Sequence, residues 1–481
     1  MDMHNGISGK KVFIMGNYKQ EVLQRISKLL NVIMVTLPFL MVWVLYYQDV
    51  IVMPFYRRGH WVVIGLFVVL YASFGKLYDA FLVSLVRISE MIYSQAVALV
   101  MTNGIMYIVL MLLIRRPPNP LPLIGAMVAE IIMVCVWCYL AHQVYFKTHS
   151  PQKTAIIYDM RQGLEKLVSE YGMEKKFDIV KVMHISEWLE NAESISDVEV
   201  VFVSGVHSAD RNVVLKYCIF NNITMYVIPR IGDIIMSGAK KMHMFHLPIM
   251  RIGRYEPNIV YLIVKRAMDI ALSLIAIVLA SPFMLVTAAA IKIYDGGPVL
   301  YTQDRLTKDR KVFKIHKFRS MKVDAEKDGV ARLSSGANDD RITPIGRFIR
   351  KVRIDELPQL FDILSGNLTI VGPRPERPEI AAQYEEQMPE FALRLQAKAG
   401  LTGYAQVYGK YNTTPYDKLQ MDLMYIATPS LAQDLEIIMA TIKILFVPES
   451  TEGVEKGKVT ALEKELESLL EYKEDKTTVN Q

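Results

Sequence analysis

Four apolar segments, each close to 20 residues long, dominate the first third of this chain. They cover residues 29–47, 61–78, 91–114 and 121–141. A helix needs about 20 predominantly apolar residues to cross a bilayer, so each segment is long enough. The whole chain has 481 residues, of which 52% are hydrophobic and 22% are charged. We therefore expect a membrane block joined to soluble domains rather than a single globular core.

The residues before the first apolar segment are polar and basic, and they carry no small-residue cleavage site of a signal peptide. Because positive charge is retained on the inner side of a membrane, we expect residues 1–28 to form a cytoplasmic tail. Four transmembrane helices over residues 29–147 would then return the chain to the cytoplasm. Glu130 lies within the fourth segment, where it either has a function or faces another helix.

Residues 148–255 show β-rich runs that alternate with helical stretches. The predicted strands are residues 154–158, 178–183, 198–203 and 223–228. This alternation predicts a parallel sheet covered by helices. The first strand–helix turn reads DMRQG at 159–163 and lacks the G-x-G-x-x-G glycines that let a backbone approach a phosphate. The pattern therefore predicts a Rossmann-like parallel α/β domain without a nucleotide fingerprint, acting as a scaffolding or regulatory module.

A fifth apolar stretch, residues 270–291, is followed by a strongly basic segment. Residues 292–353 carry 16 Lys or Arg against 8 Asp or Glu, which favours an inside location for them. Both ends of the stretch would then lie on the same membrane face. Pro282 removes a helical hydrogen bond, and the hydroxyl of Ser281 can satisfy a freed backbone group. We predict a re-entrant membrane helix over residues 266–292 that is broken at Ser281-Pro282; a proline-kinked spanning helix is the alternative.

The run RKVRIDELP at 350–358 places two adjacent carboxylates among arginines. Asp355 and Glu356 open a predicted helix that ends near residue 364, and helix capping by itself explains this arrangement. Arg350 and Arg353 favour a second interpretation, because adjacent carboxylates can hold Mg²⁺ and leave one oxygen free as a nucleophile. The run is therefore either an ordinary helix start or a site that binds and attacks a diphosphate.

Two further basic segments are compatible with an anion site. In VGPRP at 371–375, Arg374 lies between Pro373 and Pro375, and the second proline restricts it to an extended backbone. Its guanidinium can then make bidentate contact with a phosphate, although a rigid loop without a ligand is an alternative. KFRSM at 317–321 forms part of a basic sheet edge that faces a nucleotide diphosphate, anionic lipid head groups or only solvent.

The order of these motifs resembles that in the large monotopic polyprenyl-phosphate phosphoglycosyl transferases of bacteria. The matching motifs are KRxxD at 265–269, SP at 281–282, KFRSM, DELPQL at 355–360 and VGPRP. The resemblance also covers the four N-terminal helices and the α/β domain. It implies a mostly helical catalytic domain over residues 256–447 that contains the re-entrant helix, followed by a charged C-terminal tail over residues 448–481.

The same resemblance implies an activity. The enzymes transfer a sugar-1-phosphate from a UDP-sugar to undecaprenyl phosphate and release UMP, which is the first membrane step of capsule, exopolysaccharide or lipopolysaccharide synthesis. Asp355 matches the nucleophile of a ping-pong reaction with an aspartyl phosphosugar intermediate, and Glu356 completes a catalytic dyad that holds Mg²⁺. We assign substrate binding to Lys317, Arg319, Arg350, Arg353, Pro373, Arg374, Pro375 and Asp422.

The resemblance further places the chain in the bacterial cytoplasmic membrane, in contact with membrane lipids, with its soluble domains on the cytoplasmic face. It implies no nucleic-acid partner, and it is the sole ground for expecting a homodimer. Two rival classes fit parts of the pattern. A membrane-anchored nucleotide-sugar dehydratase needs a glycine turn before a Tyr-x-x-x-Lys pair. Tyr171 with Lys175 and Tyr261 with Lys265 have that spacing, but neither pair follows such a turn. A non-catalytic membrane scaffold would use the same basic face.

Overall fold

The computed structural model describes residues 3–53, 55, 58–323, 341–409 and 413–445. They form two compact units that divide between Ile228 and Pro229. The predicted C-terminal tail over residues 448–481 lies outside the described residues.

The first unit begins with four long apolar helices. They are α1 (Met3–Val42, continued by a π-helical turn Trp43–Tyr47), α2 (Gly59–Leu77), α3 (Ile88–Ile114) and α4 (Leu121–Thr148). Each of the four predicted apolar segments is therefore helical, and the predicted tail is helical from Met3 onward. Helix α1 contacts α2 and α4, while α3 contacts the same two helices, so the four helices close into a bundle. Each is long and apolar enough to cross a membrane.

The interior of this bundle holds polar side chains that bond to one another. The Tyr71 hydroxyl donates to Asn31 Oδ1 over 2.8 Å, and Asn31 Nδ2 donates to Gln95 Oε1 over 3.1 Å. Glu130 is fully buried and accepts a hydrogen bond of 2.7 Å from Asn103 Nδ2 of α3. Of the two interpretations of Glu130, the structure therefore supports the second, in which its side chain faces a neighbouring helix.

The second part of the first unit is a parallel α/β domain. Its strands are β1 (Gln152–Tyr158), β2 (Phe177–His184), β3 (Val200–Ser204) and β4 (Thr224–Val227), arranged in the order β2-β1-β3-β4. All paired strands run parallel. Helices α5 (Leu164–Glu170), α6 (Ile185–Glu190) and α7 (Ser208–Phe220) connect them. The predicted alternation of strands and helices, and the parallel sheet, are confirmed.

The second unit starts at Pro229, earlier than the predicted domain boundary after residue 255. Its first elements are α8 (Ile231–Ser237) and an antiparallel pair, β5 (Lys240–Met244) and β6 (Leu247–Arg251). Ile234 of α8 is 3% exposed and lies in the core of this unit. The prediction that grouped residues 229–255 with the α/β domain therefore differs from the structure, because Ile234 of α8 is buried in the core of the second unit.

Helix α9 (Ile259–Asp295) contains the predicted re-entrant stretch and runs through Pro282 as one element of 37 residues. A helical residue at position 282 would donate its N–H to the carbonyl of Val278, but proline has none. The Ser281 hydroxyl donates to that carbonyl instead, over 2.8 Å. The predicted break is thus not an interruption of the helix, because the serine satisfies the carbonyl that the proline frees. Whether α9 re-enters the membrane stays a prediction.

The rest of the second unit is built from short elements around one apolar core. They are the hairpin β7 (Leu300–Leu306) and β8 (Val312–Phe318), the parallel pair β9 (Thr369–Val371) and β10 (Gly400–Thr402), and six helices: α10 (Pro344–Lys351), α11 (Gln359–Leu364), α12 (Pro378–Gln387), α13 (Tyr404–Tyr408), α14 (Pro415–Ala427) and α15 (Leu431–Leu445). The predicted mostly helical character of this region is confirmed.

Candidate functional site

The two adjacent carboxylates lie on a short 3₁₀ turn, Ile354–Glu356, between α10 and α11. Ile354 and Leu357 pack against an apolar cluster formed by Ile291, Phe318 and Ile349. Because these two anchors bracket Asp355 and Glu356, the carboxylates stay only half-buried. The turn follows Arg353, whose φ of 55° is left-handed, an uncommon conformation for a residue with a side chain. The backbone at Arg353 thus adopts a conformation that costs conformational energy, directly before the two carboxylates.

Two cations reach Glu356 from other parts of the chain. Lys317 of β8 donates to Glu356 Oε1 over 2.9 Å, and both side chains are about one-fifth exposed. Arg374 NH2 lies 4.0 Å from the same oxygen, and its side chain is 46% exposed. Glu356 is therefore held by Lys317, while the guanidinium of Arg374 remains accessible to a ligand in the same cleft.

The electrostatic environment separates the two carboxylates. Burial and the charge of Glu356 raise the pKa of Asp355 to about 6. Burial also acts to raise the pKa of Glu356, but Lys317 and Arg374 outweigh it and hold that pKa well below its usual range. Near neutral pH both groups are ionised, and Asp355 is the more basic of the two. A carboxylate that is ionised, half-buried and surrounded by cations can act as a nucleophile.

Arg350 and Arg353 are also close to the carboxylates. Arg350 extends from the last turn of α10, and its Nε donates to Ser320 Oγ over 2.8 Å. Its charge lowers the pKa of Asp355, and the charge of Arg353 lowers the pKa of Glu356. Lys317, Arg350, Arg353 and Arg374 therefore gather around the two carboxylates, although they come from three separate segments of the sequence; their role in substrate binding stays a prediction.

The loop that carries Arg374 is fixed through its backbone. A Cβ atom on Gly400 would lie 2.1 Å from the nitrogen of Gly372, so the two backbones approach in a way that only glycine permits. The nitrogen of Gly400 also donates to the carbonyl of Pro373 over 2.9 Å. Arg305 NH1 donates to the carbonyl of Pro375 over 3.0 Å. Pro373 and Pro375 thus flank Arg374, and their carbonyls are held by one residue of β10 and one of β7.

Two residues predicted to bind substrate lie in other surroundings. Asp422 is 1% exposed, and its carboxylate is 2.6 Å from Arg394 NH2, which also donates to the carbonyl of Arg374 over 2.9 Å. Asp422 therefore supports the Arg374 loop through Arg394 and does not line the cleft. Arg319 is 7% exposed and bonds the carboxylate of Asp295 at the end of α9. Its guanidinium is buried against a structural partner.

The sequence did not point to Arg394, because this residue belongs to no recognisable motif. It also missed the role of Lys265, which is 8% exposed and donates to Asp434 Oδ2 of α15 over 2.9 Å. The hydroxyl of Tyr261 bonds the same oxygen over 2.9 Å. The Tyr261–Lys265 pair is thus part of a buried network that anchors α9, which argues against the dehydratase interpretation. The spacing KRxxD was the signal that could have revealed this anchor, since Asp269 also bonds the hydroxyl of Thr369 over 2.6 Å.

Asp355 and Glu356 are the carboxylates available to a metal ion in this cleft. Among the described residues, no group of three or more His, Cys, Asp or Glu could hold a metal by protein ligands alone. Mg²⁺ is usually bound by one or two carboxylates together with substrate phosphates and water. The donor set of the cleft therefore fits a magnesium ion that arrives with a phosphorylated substrate.

The sequence model described as bacterial sugar transferase matches residues 260–448, which coincide with most of the second unit. A Bacillus subtilis protein named as a putative undecaprenyl-phosphate N-acetylgalactosaminyl 1-phosphate transferase is 47% identical over 164 residues, covering 33% of this chain and 90% of that protein. The chain belongs to the bacterial sugar transferase family.

In two other relatives, the matched region makes up only about half of the protein's length. UDP-N-acetylgalactosamine-undecaprenyl-phosphate N-acetylgalactosaminephosphotransferase of Aeromonas hydrophila is 38% identical over 234 residues, covering 48% of this chain and 54% of that protein. UDP-glucose:undecaprenyl-phosphate glucose-1-phosphate transferase of Escherichia coli is 35% identical over 212 residues, covering 43% of this chain and 44% of that protein. The chain thus spans about half the length of these two sugar transferases.

Proposed function

We propose that this chain transfers a sugar-1-phosphate from a UDP-sugar to undecaprenyl phosphate at the cytoplasmic face of a bacterial inner membrane. The observation that carries the proposal is the half-buried Asp355–Glu356 turn, with Lys317 bonded to Glu356 and Arg374 accessible at 4.0 Å. Phosphoryl transfer depends mainly on positioning and on neutralising charge, and this cleft supplies both. The names of the relatives supply the class of acceptor.

In the first half-reaction, an Asp355 oxygen attacks the β-phosphorus of the UDP-sugar. A bond forms between that oxygen and phosphorus while the bond from phosphorus to the bridging oxygen breaks, and UMP leaves with the bridging oxygen. Arg374 faces the nucleotide side of the cleft, while Arg350 and Lys317 offset the charge on the transferred group. Glu356 stays ionised and keeps Lys317 in place.

In the second half-reaction, a phosphate oxygen of undecaprenyl phosphate attacks the phosphorus held on Asp355. The Asp355 carboxylate departs, and undecaprenyl-diphosphate-sugar is formed. The enzyme therefore returns to its starting state without an added acid, base or oxidant. Asp355 acts as nucleophile and then as leaving group, which suits a carboxylate whose pKa is only moderately raised.

The carboxylates of Asp355 and Glu356 would hold Mg²⁺ together with the diphosphate of the donor. When bound, this ion neutralises negative charge on the phosphates. Asp355, Glu356 and the surrounding cations perform the positioning described above.

A donor from the cytosol and an acceptor in the membrane must meet at the interface, and α9 is suited to that task. Only 11% of its most apolar window is buried, and its middle exposes Val278 and Leu279 by about 70% each. Yet both ends contact the same unit: Arg266 donates to the carbonyls of Ile363 and Leu364, and Ile291 packs against Phe318. This pattern supports a re-entrant path in which the exposed middle dips into lipid.

The decisive experiment traps the first half-reaction. Full-length protein in lipid nanodiscs is mixed with Mg²⁺ and a UDP-sugar labelled in the β-phosphate, without acceptor. We expect one UMP released per active chain and the label bound covalently to Asp355, as located by peptide mapping. Asp355→Asn should abolish both signals. Asp362→Asn is the control, because it changes a carboxylate that is bonded to His316 outside the cleft, and in this variant the label should still be found on Asp355.

The label on another residue, or UMP release that is unchanged in Asp355→Asn, would contradict the proposal and favour a non-catalytic scaffold or a different enzyme. A panel of UDP-glucose, UDP-galactose and their N-acetylated forms identifies the donor, since the relatives are named for both glucose and N-acetylgalactosamine.

A further inference from the structure

A small pocket opens beside Glu356, within the cleft that holds the two carboxylates. Its volume is about 10 Å³, which is the space that one water-sized group occupies. Three polar side chains line it from separate elements: Arg305 of β7, Gln359 at the start of α11 and Gln406 of α13. The pocket can therefore receive one small polar group of a ligand that is bound in the cleft.

Gln359 is the most deeply buried of these three side chains. It is 3% exposed, and among the described residues its buried Nε2 has no hydrogen-bond partner. A buried donor without an acceptor lowers the stability of a fold, and an apolar side chain of the same shape would avoid this cost. The amide at this position is therefore better explained by a ligand that it bonds than by the stability of the chain.

Gln406 brings an acceptor to the same pocket. Its Nε2 donates to the carbonyl of Leu401 over 3.0 Å, which fixes the orientation of the amide. Within the part of the chain that the structure describes, no donor bonds its buried Oε1. Because turning the amide would break the bond to Leu401, this oxygen stays available to a ligand.

Arg305 adds a second donor. Its NH1 donates to the carbonyl of Pro375 over 3.0 Å, and its NH2 donates to Gln303 Oε1 over 2.7 Å. These two bonds fix the guanidinium, while its buried Nε has no acceptor in the described segments. The pocket is thus lined by residues that carry two unpaired donors, Gln359 Nε2 and Arg305 Nε, and one unpaired acceptor, Gln406 Oε1.

A hydroxyl group is complementary to this set of atoms. It has one O–H that donates and two lone pairs that accept, whereas a carbonyl oxygen or an ionised phosphate oxygen only accepts. The volume of the pocket also suits a single hydroxyl oxygen. Undecaprenyl phosphate has no hydroxyl on its hydrocarbon chain, while a UDP-sugar has hydroxyls on both its ribose and its hexose. The chemistry therefore favours the donor substrate.

We propose that Gln359, Gln406 and Arg305 bind one hydroxyl group of the UDP-sugar, on its ribose or on its hexose, and so contribute to donor specificity. The proposal rests on the proposed function, because it assigns part of the donor to a place beside Glu356. A site built to bond a hydroxyl discriminates against an analogue that lacks it, since the polar groups of the site are then left unpaired. The pocket should therefore impose a measurable penalty on one particular deoxy analogue.

The chain offers a matched pair of glutamines for the test. Gln359→Met removes the amide and keeps an unbranched side chain of similar size. Gln396→Met makes the same change at a partly buried glutamine outside the pocket, whose Oε1 accepts from the nitrogen of Tyr255 and whose Nε2 donates to the carbonyl of Leu393, each over 3.0 Å. Gln406→Met removes the acceptor and is the second pocket variant. All variants are studied as full-length protein in nanodiscs with Mg²⁺.

The first measurement compares kcat/KM for UMP release between the UDP-sugar that the donor panel identifies and analogues that each lack one hydroxyl. Forms with 2′-deoxyuridine or 3′-deoxyuridine test the ribose, and deoxyhexose forms test the sugar. We expect the parent chain to disfavour one analogue by about tenfold or more. Gln359→Met and Gln406→Met should bring that ratio close to one, while Gln396→Met should keep the parent value. If a pocket variant releases no UMP, the ratio of the dissociation constants of the same donors is measured instead.

The second measurement is the thermal unfolding midpoint without ligand. Gln359→Met should keep or raise the midpoint, because it removes a buried unpaired donor and breaks no side-chain hydrogen bond among the described residues. Gln396→Met should lower it, because two backbone groups lose their partner. A midpoint that falls as far in Gln359→Met as in Gln396→Met would show that Gln359 has a structural role, and would overturn the proposal.

The analogue whose penalty disappears in the pocket variants identifies the bound hydroxyl as one of the ribose or one of the hexose, and either result supports the proposal. Equal ratios in the parent chain and in both pocket variants, for every analogue, would overturn it and leave the pocket to a water molecule. Absence of UMP release by the parent chain with every donor of the panel would instead refute the proposed function.

Discussion

Replacing Lys317 with methionine removes the cation bonded to Glu356 and keeps an unbranched side chain. The bond is 2.9 Å long, and its two side chains are 22% and 20% exposed, so water compensates for its loss only in part. A hydrogen bond to a charged group is worth about 1.5–3 kcal/mol. In the proposed reaction the Lys317 ammonium group also offsets charge on the transferred phosphoryl group, so a contact of this strength is lost from the transition state. Since 1.36 kcal/mol corresponds to a tenfold change in rate, we expect kcat/KM for UMP release to fall on the order of 10- to 150-fold.

The same substitution should move the pH profile. Lys317 opposes the rise in the pKa of Asp355 that burial and Glu356 cause, and it also lowers the pKa of Glu356. Without the ammonium group both pKa values rise. Asp355 is then protonated, and unable to attack phosphorus, up to a higher pH. The acidic limb of kcat/KM should therefore shift upward, and raising the pH should recover part of the lost rate.

The assay is the initial rate of UMP release at saturating Mg²⁺, followed from acidic to mildly alkaline pH. Lys314→Met is the control, because Lys314 lies on the same strand with an exposed side chain. A Lys317→Met enzyme whose acidic limb coincides with that of Lys314→Met would refute the electrostatic reasoning. A rise in KM for the UDP-sugar at an unchanged limb would show that Lys317 acts through substrate binding alone and not through the pKa of Asp355.

Three further predictions address support, packing and topology. Asp422→Asn should break a buried ion pair, a loss of about 3–5 kcal/mol, and lower the thermal unfolding midpoint in detergent; an unchanged midpoint with a raised KM for the UDP-sugar would restore the sequence-based role in substrate binding. Gly400→Ala forces a Cβ against backbone and should lower the midpoint, at a cost of about 1–3 kcal/mol, whereas Gly253→Ala, with open space around it, should not. Cysteines placed at Asn258, which directly precedes α9, and at Lys292, in its last turn, should both react with a membrane-impermeant thiol reagent from the cytoplasmic side; protection of one alone would indicate a spanning helix.

Structural features that depend only on residues close together in the sequence were predictable. The apolar helices α1 to α4 and the strands β1 to β4 follow from hydrophobic runs and their periods, which are local properties of a chain. The predicted helix end at Leu364 is confirmed as well, but the predicted start is wrong, because α11 begins only at Gln359 and the carboxylates precede it on the 3₁₀ turn. The domain boundary was not predictable in this way, because Ile234 joins a core whose other members lie more than 70 residues further on.

The candidate site shows the same division. Asp355 and Glu356 were recognised as candidate site residues because Arg350 and Arg353 lie within a few positions of them in the sequence. The role of Arg394 was hidden, since its partner Asp422 and the carbonyl of Arg374 become its neighbours only after folding. Arg319 was assigned to the substrate because its motif is basic, but folding places Asp295 beside it.

By itself, the sequence determined which segments are apolar, which residues begin helices and strands, and which motifs occur in which order. These properties arise from side-chain chemistry and short-range hydrogen bonding, so they are already present in the linear chain. Only the tertiary structure decided that Lys317, 39 residues from Glu356, bonds it, that Asp422 is buried behind the Arg374 loop, and that a hydroxyl-sized pocket adjoins Glu356. Such pairings depend on how distant elements pack, which no local pattern encodes.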